Sequence, residues 1–68
     1  MEELIWGRRV RAYRKLKGFT QEELANQLGI SVSVLGEIER GNRQPSDEMI
    51  GQIIDVLNIT IEELTSIK

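Results

Sequence analysis

Residues 20–31 read TQEELANQLGIS, and this stretch narrows the accessible folds sharply. Thr20 can accept a hydrogen bond from the backbone N–H three residues on, and Glu23 can reach back to the N–H of Thr20, so the segment opens as a capping box. Leu24, Ala25 and Leu28 then fall on one face of a helix. Gly29 stops it, because glycine takes the left-handed conformation of a helix end without the clash a Cβ would make. After Gly29 comes one apolar residue, Ile30, and then Ser31, a second cap. The pattern predicts two short helices meeting at a tight corner. Neither can bury its apolar face alone, so the rest of the chain must supply a core for both.

Placed on a helical wheel at about 100° per residue, Ser31–Arg40 turns Leu35 and Ile38 inward. Ser33, Gly36, Glu37 and Arg40 turn outward, with Val32 and Val34 on opposite flanks. Glu39 falls on the inner side, where an unpaired charge is very costly, so it requires a cation. Gly41 closes this helix.

The flanking sequence supplies the missing core. A first helix is expected from about Glu3 to Lys17, with Trp6, Val10 and Tyr13 on its stripe, Leu16 close by, and Gly18 and Phe19 forming the turn that follows. The run GNRQPSDE is a loop that feeds a fourth helix, capped by Ser46 with Asp47 and Glu48 at its positive end. Ile50, Ile53, Ile54 and Leu57 form its core stripe with Met49 as filler, and Asn58 ends it. Thr60 opens a fifth helix with a second capping box, TIEE, docked by Ile61 and Leu64. The expected fold is all-α, five helices in one domain spanning residues 1–68. In a chain of 68 residues only roughly 60% of the unfolded surface is buried, so every apolar position counts.

Composition excludes several classes of function. The chain has no cysteine and no histidine, which removes thiolate and imidazole metal sites and the usual nucleophile–base pairs. No catalytic, metal or cofactor site is expected. The adjacent carboxylates Glu22/Glu23 and Glu62/Glu63 are explained by capping and solvation. No apolar run approaches the ~18 residues of a membrane span, and no signal-peptide pattern is present; the expectation is a cytoplasmic protein with no membrane contact. Net charge is −2, but the charge is polarised. Residues 1–18 hold six basic residues against Glu2 and Glu3, whereas residues 19–39 hold four acids and no base. Arg40 and Arg43 then stand together in a short segment before an acidic C-terminal third. A basic patch of this kind can face phosphates despite the overall sign.

Two helices joined at QLGIS form a helix–turn–helix. The ordered set VRAYR (10–14), GFTQEELA (18–25), LGIS (28–31), IERG (38–41), PS (45–46) and LNITIEEL (57–64) resembles the Cro/repressor-type (Xre) helix–turn–helix family. The resemblance covers about residues 6–64, with the motif at about 20–40. It implies a compact, lambda-repressor-like five-helix domain of bacterial and phage transcription regulators. In that family helices 2 and 3 bind double-stranded DNA, helix 3 lies in the major groove, and dimers meet two-fold symmetric operators. By resemblance, Gln21 contacts a phosphate and can also touch a base, Ser31, Val32, Ser33 and Glu37 face DNA, and Arg40, Asn42 and Arg43 run along the backbone. The resemblance also pairs Arg14, which follows Val10 by four residues, with Glu39 as a structural salt bridge.

The third helix departs from the family pattern. Bidentate Arg, Gln and Asn are the common base readers, and none occurs from Ser31 to Glu39. Ser33 can donate or accept, Glu37 could accept from cytosine N4, and Val32 could touch a thymine methyl. Gly36 removes a side chain and would permit close approach to DNA or to a protein. Two readings follow. In one, the domain is a DNA-binding regulator, nucleoid-associated when bound, positioned by backbone contacts. In the other, the same face, VSV with Gly36, binds a protein partner. No separate effector-binding or oligomerisation unit is expected. A homodimer would therefore be weak and use helices 4 and 5 near Ile59, Ile61 and Ile67, unless those residues complete the core.

Overall fold

The computed structural model describes the backbone of residues 2–65 and the side chains of residues 7–64. Five helices follow one another: α1 (Glu2–Leu16), α2 (Gln21–Leu28), α3 (Val32–Arg40), α4 (Asp47–Leu57) and α5 (Ile61–Thr65). Local chemistry sets nearly every boundary. The Thr20 hydroxyl accepts from Glu23 N–H at 3.0 Å and the Glu23 carboxylate accepts from Thr20 N–H at 2.9 Å. The same reciprocal pair recurs between Thr60 and Glu63 at 3.0 and 2.8 Å. Ser31 and Ser46 each accept from the N–H three residues on, Val34 and Met49 respectively, at 3.1 Å. Gly29, with φ of 73°, occupies the left-handed region at the end of α2, and its N–H reaches back into the last turn. Asn58 ends α4 in the same conformation, which asparagine tolerates better than other side chains do.

The core gathers Val10 from α1, Leu24, Ala25 and Leu28 from α2, Leu35 from α3, Ile53 and Leu57 from α4, and Leu64 from α5. Ile38 is buried as well. Tyr13, Phe19, Ile30, Met49, Ile50 and Ile54 close its margins. Ile50 and Ile54 thus flank the α4 stripe rather than fill it. Trp6, the first residue of the expected α1 stripe, lies outside the described side chains.

Two expectations for α1 and α5 are corrected. Leu16 is 74% exposed. From Val10 to Leu16 the wheel advances about 600°, leaving Leu16 about 120° from the stripe; Arg14, only about 40° away, takes the inward place. Ile61 is 42% exposed, and Leu64, fully buried, docks α5. One feature escaped the wheel altogether. Gly7 is buried, and a Cβ there would lie 2.7 Å from the carbonyl oxygen of Glu39 and closer still to that of Ile38. The absence of a side chain lets α1 lie directly on the C-terminal turn of α3, its principal partner.

Candidate nucleic-acid interface

The orientation of α3 is fixed from beneath by a buried polar cluster. Arg14 Nε donates to Glu39 Oε2 at 2.6 Å, Nη2 donates to Oε1 at 3.2 Å, and Nη1 donates to the Phe19 carbonyl at 2.9 Å. The two residues are 7% and 6% exposed. The inward-facing acid therefore has its cation. The bidentate guanidinium–carboxylate geometry ties α1 to α3 while the Phe19 bond anchors the turn into α2. Gln21 Nε2 also donates to Glu39 Oε1, at 3.0 Å. That bond orients the half-buried first side chain of α2, the one expected at a phosphate.

Above this cluster the outer strip of α3 is presented to solvent. Ser31 and Ser33 are exposed, and Val32 is 41% exposed. The Ser31 oxygen is engaged as an acceptor by Val34 N–H, which leaves its own hydrogen to donate. Val34 is half-buried on the flank. Asn42 is exposed beyond the Gly41 end of the helix.

Two arginines border this strip in ways the wheel did not disclose. Arg43 Nε donates to Glu37 Oε1 at 2.7 Å, an ion pair whose side chains remain 53% and 39% exposed. The sequence signal was available: opposite charges on either side of a helix-ending glycine. Arg40 folds back along α3 instead of extending with Asn42 and Arg43. Its guanidinium covers Gly36, whose hypothetical Cβ would lie 3.1 Å from Arg40 Nη1. Gly36 is accordingly buried, which corrects its outward assignment. The wheel angle was sound, but four residues separate Gly36 from Arg40, the spacing at which a long helical side chain covers its neighbour. Because positions 36 and 37 differ by about 100°, the two guanidiniums lie on different flanks of the helix.

On the Arg40 flank, a cleft of about 670 Å³ lies between α1 and the α2–α3 unit, lined by Arg11, Arg14, Lys15, Gln21, Glu39 and Arg40 among others. Its opening and its basic lining suit an extended anion rather than an enclosed small molecule. Among the described residues no group of His, Cys, Asp or Glu could hold a metal ion, and no helix is long and apolar enough to cross a membrane.

Residues 10–64 match the helix-turn-helix family. The chain belongs to that family. The helix-turn-helix chain is 67% identical over 64 residues to YazB, an HTH-type transcriptional regulator of Bacillus subtilis, covering 94% of this chain and 93% of the relative. It is 36% identical over 59 residues to the Bacillus subtilis HTH-type transcriptional regulator SinR, of which it spans 53%. Among solved structures it resembles the restriction-modification controller protein C.AhdI from Aeromonas hydrophila, with a TM-score of 0.84, 38% identity, and coverage of 90% of this chain and 92% of that one. It also resembles SinR, the master regulator for biofilm formation, solved in complex with DNA: TM-score 0.79, 35% identity, coverage of 87% and 95%. The resemblance to Cro/repressor-type regulators, the five-helix all-α class and the non-enzymatic character of the helix-turn-helix chain all agree with these relatives.

Proposed function

We propose that this DNA-binding transcriptional regulator seats α3 in the major groove of double-stranded DNA, its first turn at base edges and its flanks on phosphates. The observation that carries this reading is the presentation of α3. Leu35 and Ile38 are buried beneath it, Glu39 is locked to Arg14, and residues 31–33 project into solvent between flanks that carry Arg40 and Arg43. Phosphate contacts position a protein without reading sequence, and Gln21, Ser31, Arg40, Asn42 and Arg43 serve that role here. Ser33 and Val32 meet base edges, and Glu37 accepts from a cytosine amino group with Arg43 beside it to offset the repulsion between its carboxylate and the phosphates. Gly36 acts through Arg40 rather than by direct contact. DNA shape supplies the remainder of the preference.

Residues 6–64 act as one domain in this reading, cytoplasmic and nucleoid-associated when bound. A homodimer weak in solution forms through α4 and α5, where Ile59 is half-buried and Ile61 partly exposed, and strengthens on a two-fold symmetric site. Ile67 lies outside the described residues. A second reading rests on Val32, an exposed apolar side chain in the first turn of α3: the same face holds a protein.

Fluorescence anisotropy on a labelled duplex across a salt series separates the two. The DNA reading expects saturable binding whose affinity falls linearly with salt on a log–log scale, with Ser33→Ala and Glu37→Ala changing the preferred site. Absence of saturable binding at low salt, together with loss of a protein partner on Val32→Asp, contradicts it.

A further inference from the structure

Gly36 is a costly residue for the middle of a nine-residue helix, since glycine lowers helix stability relative to alanine. Nothing in the core requires it: the three heavy atoms nearest a hypothetical Cβ all belong to the Arg40 guanidinium, at 3.1, 3.8 and 3.9 Å. The missing side chain therefore makes room for one group, and that group faces the cleft between α1 and α3. Across the cleft stand Arg11 and Lys15, both exposed and four residues apart on one face of α1. The face continues to Arg8, so that positive charge extends along the helix. Among the described residues lining the cleft, the acid is Glu39, and Arg14 already neutralises it.

We infer that Gly36 is a seat for Arg40, and that Arg40 with Arg11 and Lys15 forms a phosphodiester clamp on the α1 side of the reading helix. The inference rests on the DNA reading above and adds Arg11, Lys15 and the Gly36 seat to its Arg40 flank. A guanidinium fork matches two phosphate oxygens, whereas an ammonium acts as a mobile point charge; the cleft supplies both. It is an open trough beside α3, so a strand whose bases met Val32 and Ser33 would carry its backbone past it. Arg43, paired with Glu37, serves the other flank. The clamp gives the protein sequence-independent affinity that α3, lacking bidentate readers, does not supply.

The test uses the full chain with Arg40→Ala, Gly36→Leu, the double variant and Arg11→Ala, each first melted to confirm folding. Gly36→Leu fills the seat and evicts the guanidinium without removing its charge. Duplex binding should weaken about tenfold for Arg40→Ala and Gly36→Leu alike, the scale of one charge-assisted hydrogen-bonded contact. Arg40→Ala should also make the salt slope shallower by about 0.9. The double variant should bind no worse than Arg40→Ala. Wild-type affinity in Arg40→Ala, or losses that multiply in the double variant, would overturn the clamp while leaving DNA binding intact. Failure of the wild-type chain to bind any duplex sinks the DNA reading and the clamp with it. Inorganic phosphate, titrated against amide and guanidinium resonances, separates the sources of the anion. Millimolar phosphate binding that Arg40→Ala abolishes, with duplex affinity unchanged, would make the cleft a free-anion site and overturn the assignment.

Discussion

Replacing Arg14 by alanine tests the structural basis of the interface most severely. The substitution removes three hydrogen bonds, two to Glu39 at 2.6 and 3.2 Å and one to the Phe19 carbonyl at 2.9 Å. It leaves the buried Glu39 carboxylate without the cation that neutralises it, with the Gln21 amide still donating to it. Breaking a buried ion pair from one side costs roughly 3–5 kcal/mol, most of it the uncompensated charge. A domain of 68 residues has about 3–10 kcal/mol of stability in total. The loss therefore consumes a large part of the whole. Urea and thermal melts followed by circular dichroism should show a melting temperature lower by at least about 12 °C, at about 4 °C or more per kcal/mol for a domain this small. Adding Glu39→Gln to Arg14→Ala removes the stranded charge and should recover much of that loss. An Arg14→Ala chain that melts within about 3 °C of wild type would refute the argument, because a buried, bidentate pair cannot be lost that cheaply.

Three further outcomes follow from the packing and the surface. Gly7→Ala places a methyl group against the backbone carbonyls of Ile38 and Glu39, which cannot rotate away, and should destabilise by about 1–3 kcal/mol in denaturant melts despite the better helix propensity of alanine. Gly29→Ala forces a Cβ into the left-handed region at φ of 73° and should cost about 1–2 kcal/mol in the same assay, although the space around it is open. Arg43→Ala should weaken binding to matched and unmatched duplexes in similar proportion by anisotropy, the signature of a lost phosphate contact.

What was legible in the sequence was local. The capping boxes at Thr20 and Thr60, the caps at Ser31 and Ser46, and the stop at Gly29 depend on residues within four positions of one another, and all appear where the spacing placed them. The need of Glu39 for a cation was legible too, because an inward acid has few affordable alternatives. Leu16 shows the limit of a stripe extended by proximity alone: six residues past Val10 it stands about 120° off the core direction, in water rather than in the core. Gly7 depends on how closely two helices distant in sequence approach, which no local pattern encodes. At the candidate interface the sequence named α3, its exposed first turn, Arg40 and Arg43, but not the partners those two arginines take. Whether Arg40 extends along the loop or folds over Gly36, and whether Arg43 meets solvent or Glu37, is decided by long side chains choosing among rotamers after the backbone is set.

On the proposed reading α3, with no bidentate reader, still selects among DNA sequences through Val32, Ser33 and Glu37 while its flanks hold the backbone. Selection of bound duplexes from a random pool, run in parallel on the wild-type chain and on Ser33→Ala and Glu37→Ala, tests it directly. Enrichment of one short motif is expected, with half-sites related by two-fold symmetry and a cytosine preference that disappears in Glu37→Ala. A wild-type pool that remains random after repeated rounds would contradict it.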